Sequence, residues 1–100
     1  MARMRHEIIL APEAVQDLKR LKGHVRATVR GAIEEHLRHQ PAGTSKSRIK
    51  RLRGLSRPEF RLRVDELRVF YDVLDRTVEV LAIILKSGAD VWLKKAGERA

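Results

Sequence analysis

One hundred residues support one small domain with a single hydrophobic core, and not two. The lack of cysteine excludes disulfides and thiolate metal sites, and only four aromatic residues leave the core to aliphatic side chains. A net charge of +9 and a pI near 10.8 point to nucleic acid, an anionic surface or an acidic protein partner. A membrane is the weakest of these, because no apolar run approaches the roughly 20 residues of a span. The Ile8-Ile9-Leu10 run is also far too short for a secretory leader, so a cytoplasmic protein is expected.

Arg5 to Leu10 reads as a first strand, with β-branched Ile8 and Ile9 near its end. Pro12 and Glu13 then open a helix, since proline suits the first turn and a carboxylate complements the helix dipole. Ala11, Ala14, Val15, Leu18 and Leu21 keep helical spacing until Gly23 breaks the run. A second helix is expected from about His24 to His39, with Val25, Val29, Ala32, Ile33, His36 and Leu37 on one stripe and Pro41 to Gly43 stopping it. Together they predict a helical hairpin laid on a sheet.

Residues 42–57 read as a basic loop or irregular strand anchored by Ile49, Leu52 and Leu55, with a turn at Gly54. The window 44–63 holds Lys46, Arg48, Lys50, Arg51, Arg53, Arg57, Arg61 and Arg63 against the single acid Glu59. Phe60 to Val64 and Leu67 to Tyr71 alternate on either side of Asp65-Glu66, which predicts a hairpin with a two-residue loop. That register places Phe60, Leu62, Val64, Leu67, Val69 and Tyr71 on one face. Arg61, Arg63, Arg68 and Phe70 fall on the other, with Arg63 directly opposite Arg68. Thr77 to about Lys86 supplies a third strand of this meander. Ala89 to Lys95 follows as a short C-terminal helix or last extended piece, and residues 96–100 as a disordered tail. The order β-α-α-β-β-β predicts one α+β domain over residues 1–100, with helices on one face of an antiparallel sheet and the other face partly open.

Like charges opposite each other across a strand pair are destabilising, and such a pair persists where an anion sits between them. Three arginines on a sheet face therefore suggest a phosphate site. The bland alternative is a solvated face paired with Glu59, Asp72 or Glu79. Metal binding is a poor fit, because His6, His24, His36 and His39 are scattered and lack a ligand pattern. No glycine-rich phosphate loop or nucleophile-elbow serine occurs. Guanidinium groups can stabilise charge on phosphate oxygens without a metal or any cofactor, and the 2′-hydroxyl of RNA is a built-in nucleophile. Arginine is a poor general base, so proton transfer needs another group.

The order of these segments resembles the RelE/ParE superfamily of bacterial toxins. The residues that carry the likeness are Ile9-Leu-Ala-Pro-Glu-Ala14, Gln16-Asp-Leu-Lys-Arg-Leu21, Arg51-Leu-Arg-Gly54, Phe60-Arg-Leu-Arg-Val64 and Leu67-Arg-Val-Phe-Tyr71. The resemblance implies a toxin held by a cognate antitoxin whose C-terminal segment wraps it. In RelE-like members it implies a metal-free endoribonuclease acting on messenger RNA in the ribosomal A site; in ParE-like members, a poison of DNA gyrase. Carried over by motif, Arg61, Arg63 and Arg68 hold the scissile phosphate. The short link between the helices, Leu21 to Val25, favours the RelE-like branch. The chain departs from the pattern at Leu85-Lys-Ser-Gly88, where Lys86 is the nearest basic residue, and at Trp92, which replaces a tyrosine and has no hydroxyl. Trp92 then either stacks on a base or packs against the domain. Lys50, Arg51 and Arg53 are the expected RNA contacts of the basic loop. A gyrase inhibitor, a family member that only binds its antitoxin, and a generic RNA-binding module are the alternatives.

Overall fold

A computed structural model describes residues 5–45, 48–54 and 57–99; Lys46 and Leu55, expected in the basic loop, lie outside the described residues. The chain runs β1 (Glu7–Leu10), α1 (Pro12–Lys19), α2 (Gly23–Leu37), β2 (Ile49–Arg51), β3 (Phe60–Val64), β4 (Leu67–Leu74) and β5 (Thr77–Leu85). A single 3-10 turn over Lys86–Gly88 leads into α3 (Ala89–Arg99). Two two-residue turns fold β3, β4 and β5 into the meander, each led by an aspartate with positive φ, Asp65 at 51° and Asp75 at 53°. Aspartate is among the few residues that tolerate this backbone, because its short side chain can bond locally.

All five strands form one sheet in the order β1-β5-β4-β3-β2, with β1 parallel to β5 and the other pairs antiparallel. The α+β class is the one expected, and three details differ. First, the basic loop contains β2, which pairs Ile49 with Leu62 and Lys50 with Arg61. Ile49 is buried, and Ser45 Oγ accepts from the amides of Arg48 and Ile49 at 3.0 and 3.2 Å, turning the chain into the strand. Second, Gly23 is the first residue of α2 and not only a break. Third, α3 continues to Arg99, so most of the segment expected as a tail is helical.

The helical hairpin is fixed by one side chain. Arg26 donates to the carbonyls of Leu18, Lys19 and Leu21 at 3.1, 3.2 and 2.8 Å, satisfying acceptors that the end of α1 leaves open. On α1, Asp17 Oδ2 accepts from the Ile83 amide at 2.9 Å, beside the irregularity that lets Tyr71 pair with Val80 and Phe70 with Ala82. The hairpin buries Ala14, Leu18, Val29, Ile33 and Leu37 against Leu62, Val64, Val69, Tyr71, Val78 and Val80. Phe60 and Tyr71 stack with centroids 5.4 Å apart. No helix among the described residues is long and apolar enough to cross a membrane.

Tyr71 ties the sheet to the end of the helical hairpin. Its ring is fully buried, its hydroxyl donates to the Pro41 carbonyl at 2.5 Å, and burial raises its pKa above the ordinary value. A neutral phenol is thus required in the folded state while the unfolded chain can ionise, so stability is intact below about pH 10 and falls as pH rises beyond it. Tyr71→Phe should cost about 1–3 kcal/mol at neutral pH in urea titrations, because a buried carbonyl loses its donor. The same variant should show a shallower loss of stability above about pH 10 than the parent.

Candidate nucleic-acid interface

Strand alternation sets the arginine face. Phe60, Leu62 and Val64 turn toward the helices, so Arg61 and Arg63 turn away from them. The register matches the expected one: Arg61 lies opposite Phe70, and Arg63 opposite Arg68. Lys50 of β2 pairs with Arg61 and adds a fourth cation to this side.

The carboxylates that offered a bland explanation are taken elsewhere. Asp72 and Glu79 both pair with Arg57, each at 2.7 Å, and Glu59 pairs with Arg51 at 3.5 Å. Among the described residues, Arg61, Arg63 and Arg68 have no carboxylate within salt-bridge distance. Arg61 Nε is buried without a hydrogen-bond partner there. Burial first, and then the charges of Arg68 and Arg63, pull the Arg61 guanidinium below the usual arginine range. An anion would relieve all three pressures at once.

Arg68 departs from expectation. It shares the face but is only 6% exposed, and Nη1 donates to the carbonyls of Asp65 and Leu67, each at 2.9 Å. The turn itself satisfies and fixes this guanidinium, whereas Arg63 is exposed and Arg61 half-buried. Lys86 is exposed at the same end of the sheet, its amide bonded to the Glu66 carbonyl at 2.8 Å. The three cations of the basic segment separate: Lys50 joins Arg61, Arg51 lies over the Phe60 ring at 5.7 Å, and Arg53 is exposed beside Gly54, whose φ of 77° makes the turn.

Trp92 packs on the protein. Its indole stacks on Phe70 with centroids 4.9 Å apart and planes 7° from parallel, and Nε1 donates to Glu13 at 3.2 Å. This explains how Phe70 can be fully buried on a face away from the main core: α3 covers it. Tyr71, the chain's one tyrosine, is on the opposite face with its hydroxyl engaged, so no phenol is available to the arginines.

His36 belongs to the apolar stripe of α2 and Arg48 to the basic segment, and no local pattern joins them. In the structure Arg48 Nη1 donates to His36 Nε2 at 2.9 Å, and Glu35 Oε2 lies 3.4 Å from the same nitrogen. Twelve positions separate the two residues, so only the return of the chain into β2 brings them together. Among the described residues no cluster of three or more metal-ligating side chains forms.

The architecture, a helical hairpin on one face of a sheet, is similar to that of solved RelE chains. Three solved structures align with it: the RelB–RelE antitoxin–toxin complex from Methanococcus jannaschii (TM-score 0.62, 23% identity, 84% of this chain and 96% of that chain), the RelBE2 toxin–antitoxin complex from Mycobacterium tuberculosis (0.63, 22%, 81% and 98%), and the archaeal RelE–RelB complex from Pyrococcus horikoshii OT3 (0.67, 20%, 83% and 97%). No curated protein matches the chain at a significant level. Residues 8–89 match the family model described as the ParE toxin of the type II toxin–antitoxin system, parDE. The chain belongs to that family, within the RelE/ParE superfamily.

The Phe70–Trp92 stack makes a direct prediction. A double-mutant cycle of Phe70→Leu and Trp92→Leu, read by chemical denaturation, should give a coupling of about 0.5–1.5 kcal/mol. A coupling indistinguishable from zero would mean that α3 does not rest on the sheet in solution.

Proposed function

We propose that this type II toxin is a ribosome-dependent, metal-free endoribonuclease that cuts messenger RNA and stops translation, and that a cognate antitoxin holds it inactive. One observation carries the reading: three arginines share one sheet face while Glu59, Asp72 and Glu79, the carboxylates expected to neutralise them, are each paired with another arginine. Positioned cations of this kind match a phosphate that gains charge as its diester is attacked. In this reading Arg61 and Arg63 contact the phosphate, and Arg68, anchored by the turn carbonyls, holds the potential between them. Lys50, beside Arg61 on the next strand, and Lys86, at the end of β5, extend the contact across the sheet, and Arg51 and Arg53 meet RNA outside the scissile site. RNA supplies the nucleophile through its 2′-hydroxyl, so alignment and charge stabilisation are the chief tasks left to the protein.

A groove fits the antitoxin. Between the helical hairpin and the β3–β4 turn lies a cleft of about 510 Å³ whose apolar lining is Leu21, Val25, Val29, Val64, Leu67 and Leu85, with Lys22, His24, Asp65 and Glu66 also lining it. Leu85 is 59% exposed at its edge, and the RelE chains of similar fold are known in complex with RelB antitoxins. An amphipathic antitoxin segment with acidic residues would cover this groove and reach the basic side. Leu85→Asp should weaken the complex with the product of an adjacent antitoxin gene by at least about tenfold in titration calorimetry, since a carboxylate would be desolvated in an apolar contact.

A second reading, inhibition of DNA gyrase, is favoured by the family description and by the lack of a phenol near the arginines. The two are separated by one experiment. Primer extension on messenger RNA from ribosomes incubated with the protein should show new 5′ ends, and Arg61→Ala or Arg63→Ala should slow their appearance by about 10²–10³-fold. Stabilised gyrase–DNA cleavage complexes with intact messenger RNA would replace the nuclease reading.

A further inference from the structure

The Arg48–His36 contact joins two clefts. On one side a cavity of about 500 Å³ is lined by Thr28, Glu35, His36, Arg48, Arg63 and Asp65 among others. On the other a smaller one, about 270 Å³, shares Glu35, His36 and Arg48 and continues toward His39 and Ser45. The pair therefore lies like a bar across a groove between α2 and the β2–β3 edge. Arg63, which opens onto the arginine face, stands at one end of it.

The chemistry of the bar is unusual for a structural contact. Arg48 is exposed and donates to an imidazole nitrogen, with no carboxylate within salt-bridge distance among the described residues. A guanidinium has five donors in a planar fork, and one of its nitrogens is used here. Arg63 adds a second fork from the far wall. Two arginines and an imidazole line this groove and offer donors to an oxyanion beside the carboxylates of Glu35 and Asp65, while the Thr28 hydroxyl donates to the His24 carbonyl at 3.0 Å.

We infer that the groove between α2 and the β2–β3 edge is a second phosphate subsite, in which Arg48, His36 and Arg63 hold a backbone phosphodiester of single-stranded RNA beyond the one at Arg61 and Arg63. The subsite rests on the RNA reading above and extends it around the sheet edge. It binds more tightly when His36 is protonated. Nε2 accepts from Arg48 when neutral; once protonated it becomes a donor to the phosphate, and the anion takes over as acceptor for Arg48. Imidazoles change charge between about pH 5 and 8. The charged groups around His36 are Glu35 on its own helix at 3.4 Å, His39 one turn on, Arg48 before β2, and Arg63 and Asp65 across the groove. A proton on Nε2 adds a positive charge and a donor facing the phosphate, so proton uptake and phosphate binding reinforce each other.

Fluorescence anisotropy with a labelled oligouridylate of about 12 nucleotides tests this on the purified protein. Between about pH 8 and about pH 5.5 the affinity of the parent should rise several-fold, and in His36→Gln it should stay flat. Arg48→Ala should lower affinity and reduce the salt slope by about 1. Lys19→Ala, which removes an equal charge from an exposed position on α1, serves as the control for the general attraction of a +9 protein. Loss in Arg48→Ala no greater than in Lys19→Ala overturns the subsite, and so does a pH dependence retained in His36→Gln. Circular dichroism of each variant shows whether the fold is kept. The matching oligothymidylate separates the two sources of phosphodiester: tighter RNA binding supports the RNA assignment, and tighter DNA binding overturns it. If Arg61→Ala abolishes RNA binding while Arg48→Ala matches the control, the subsite alone fails. If the parent binds neither oligonucleotide, the RNA reading fails with it.

Discussion

The register between β3 and β4 is the constraint on which everything else depends. Side chains alternate along a strand, so a slip of one residue would carry Leu62, Val64, Val69 and Tyr71 to the arginine side and drive arginines into the core. The two-residue turn at Asp65-Glu66 allows no slack, and the stack of Phe60 on Tyr71 locks the other end. The same pairing forces Arg63 against Arg68. A repulsive pair is therefore built in by the core: the fold cannot keep its apolar face and separate these two cations.

The protein manages that repulsion unequally. Arg68 is held by two turn carbonyls and nearly buried, while Arg63 remains in solvent. Arg61, opposite Phe70, lies next to this pair, half-buried with a donor left over. Nearby, Arg57 gathers Asp72 and Glu79 into one three-way ion pair of net charge −1, while the arginine end of the sheet face is strongly positive. Exposed pairs such as these contribute little to stability, so their main effect is to concentrate the field where no counter-charge stands.

Much of this was legible in the residues. The β3–β4 hairpin could be read to the residue because alternation and turn chemistry are local. The helical hairpin followed from 3.6-residue spacing, though α1 ends at Lys19 short of Leu21, α2 ends at Leu37 short of His39, and Gly23 opens α2. β2 stood open between loop and irregular strand because Ile49-Lys-Arg offers one apolar side chain in a basic run, and its pairing depends on Ser45 turning the chain. Which carboxylate serves which arginine was not legible either. Arg57 reaches Asp72 and Glu79 across 15 and 22 positions, and that allocation decides whether Arg61 and Arg63 are free. Burial of Arg68 and the seat of Trp92 likewise follow from long-range packing, which no local pattern encodes.

The parallel pairing of β1 with β5 has a consequence for how the molecule is made. Glu7 lies beside Thr77, so the first strand to leave the ribosome has its only sheet neighbour on the order of 70 residues later. At roughly 5–20 residues per second, that is a wait of several seconds. Until β5 arrives, β1 has no strand beside it and β2 to β4 have no link through the sheet to it. Of the five strands, the one that joins β1 to the rest is the last in chain order, so the sheet closes only when β5 is in place.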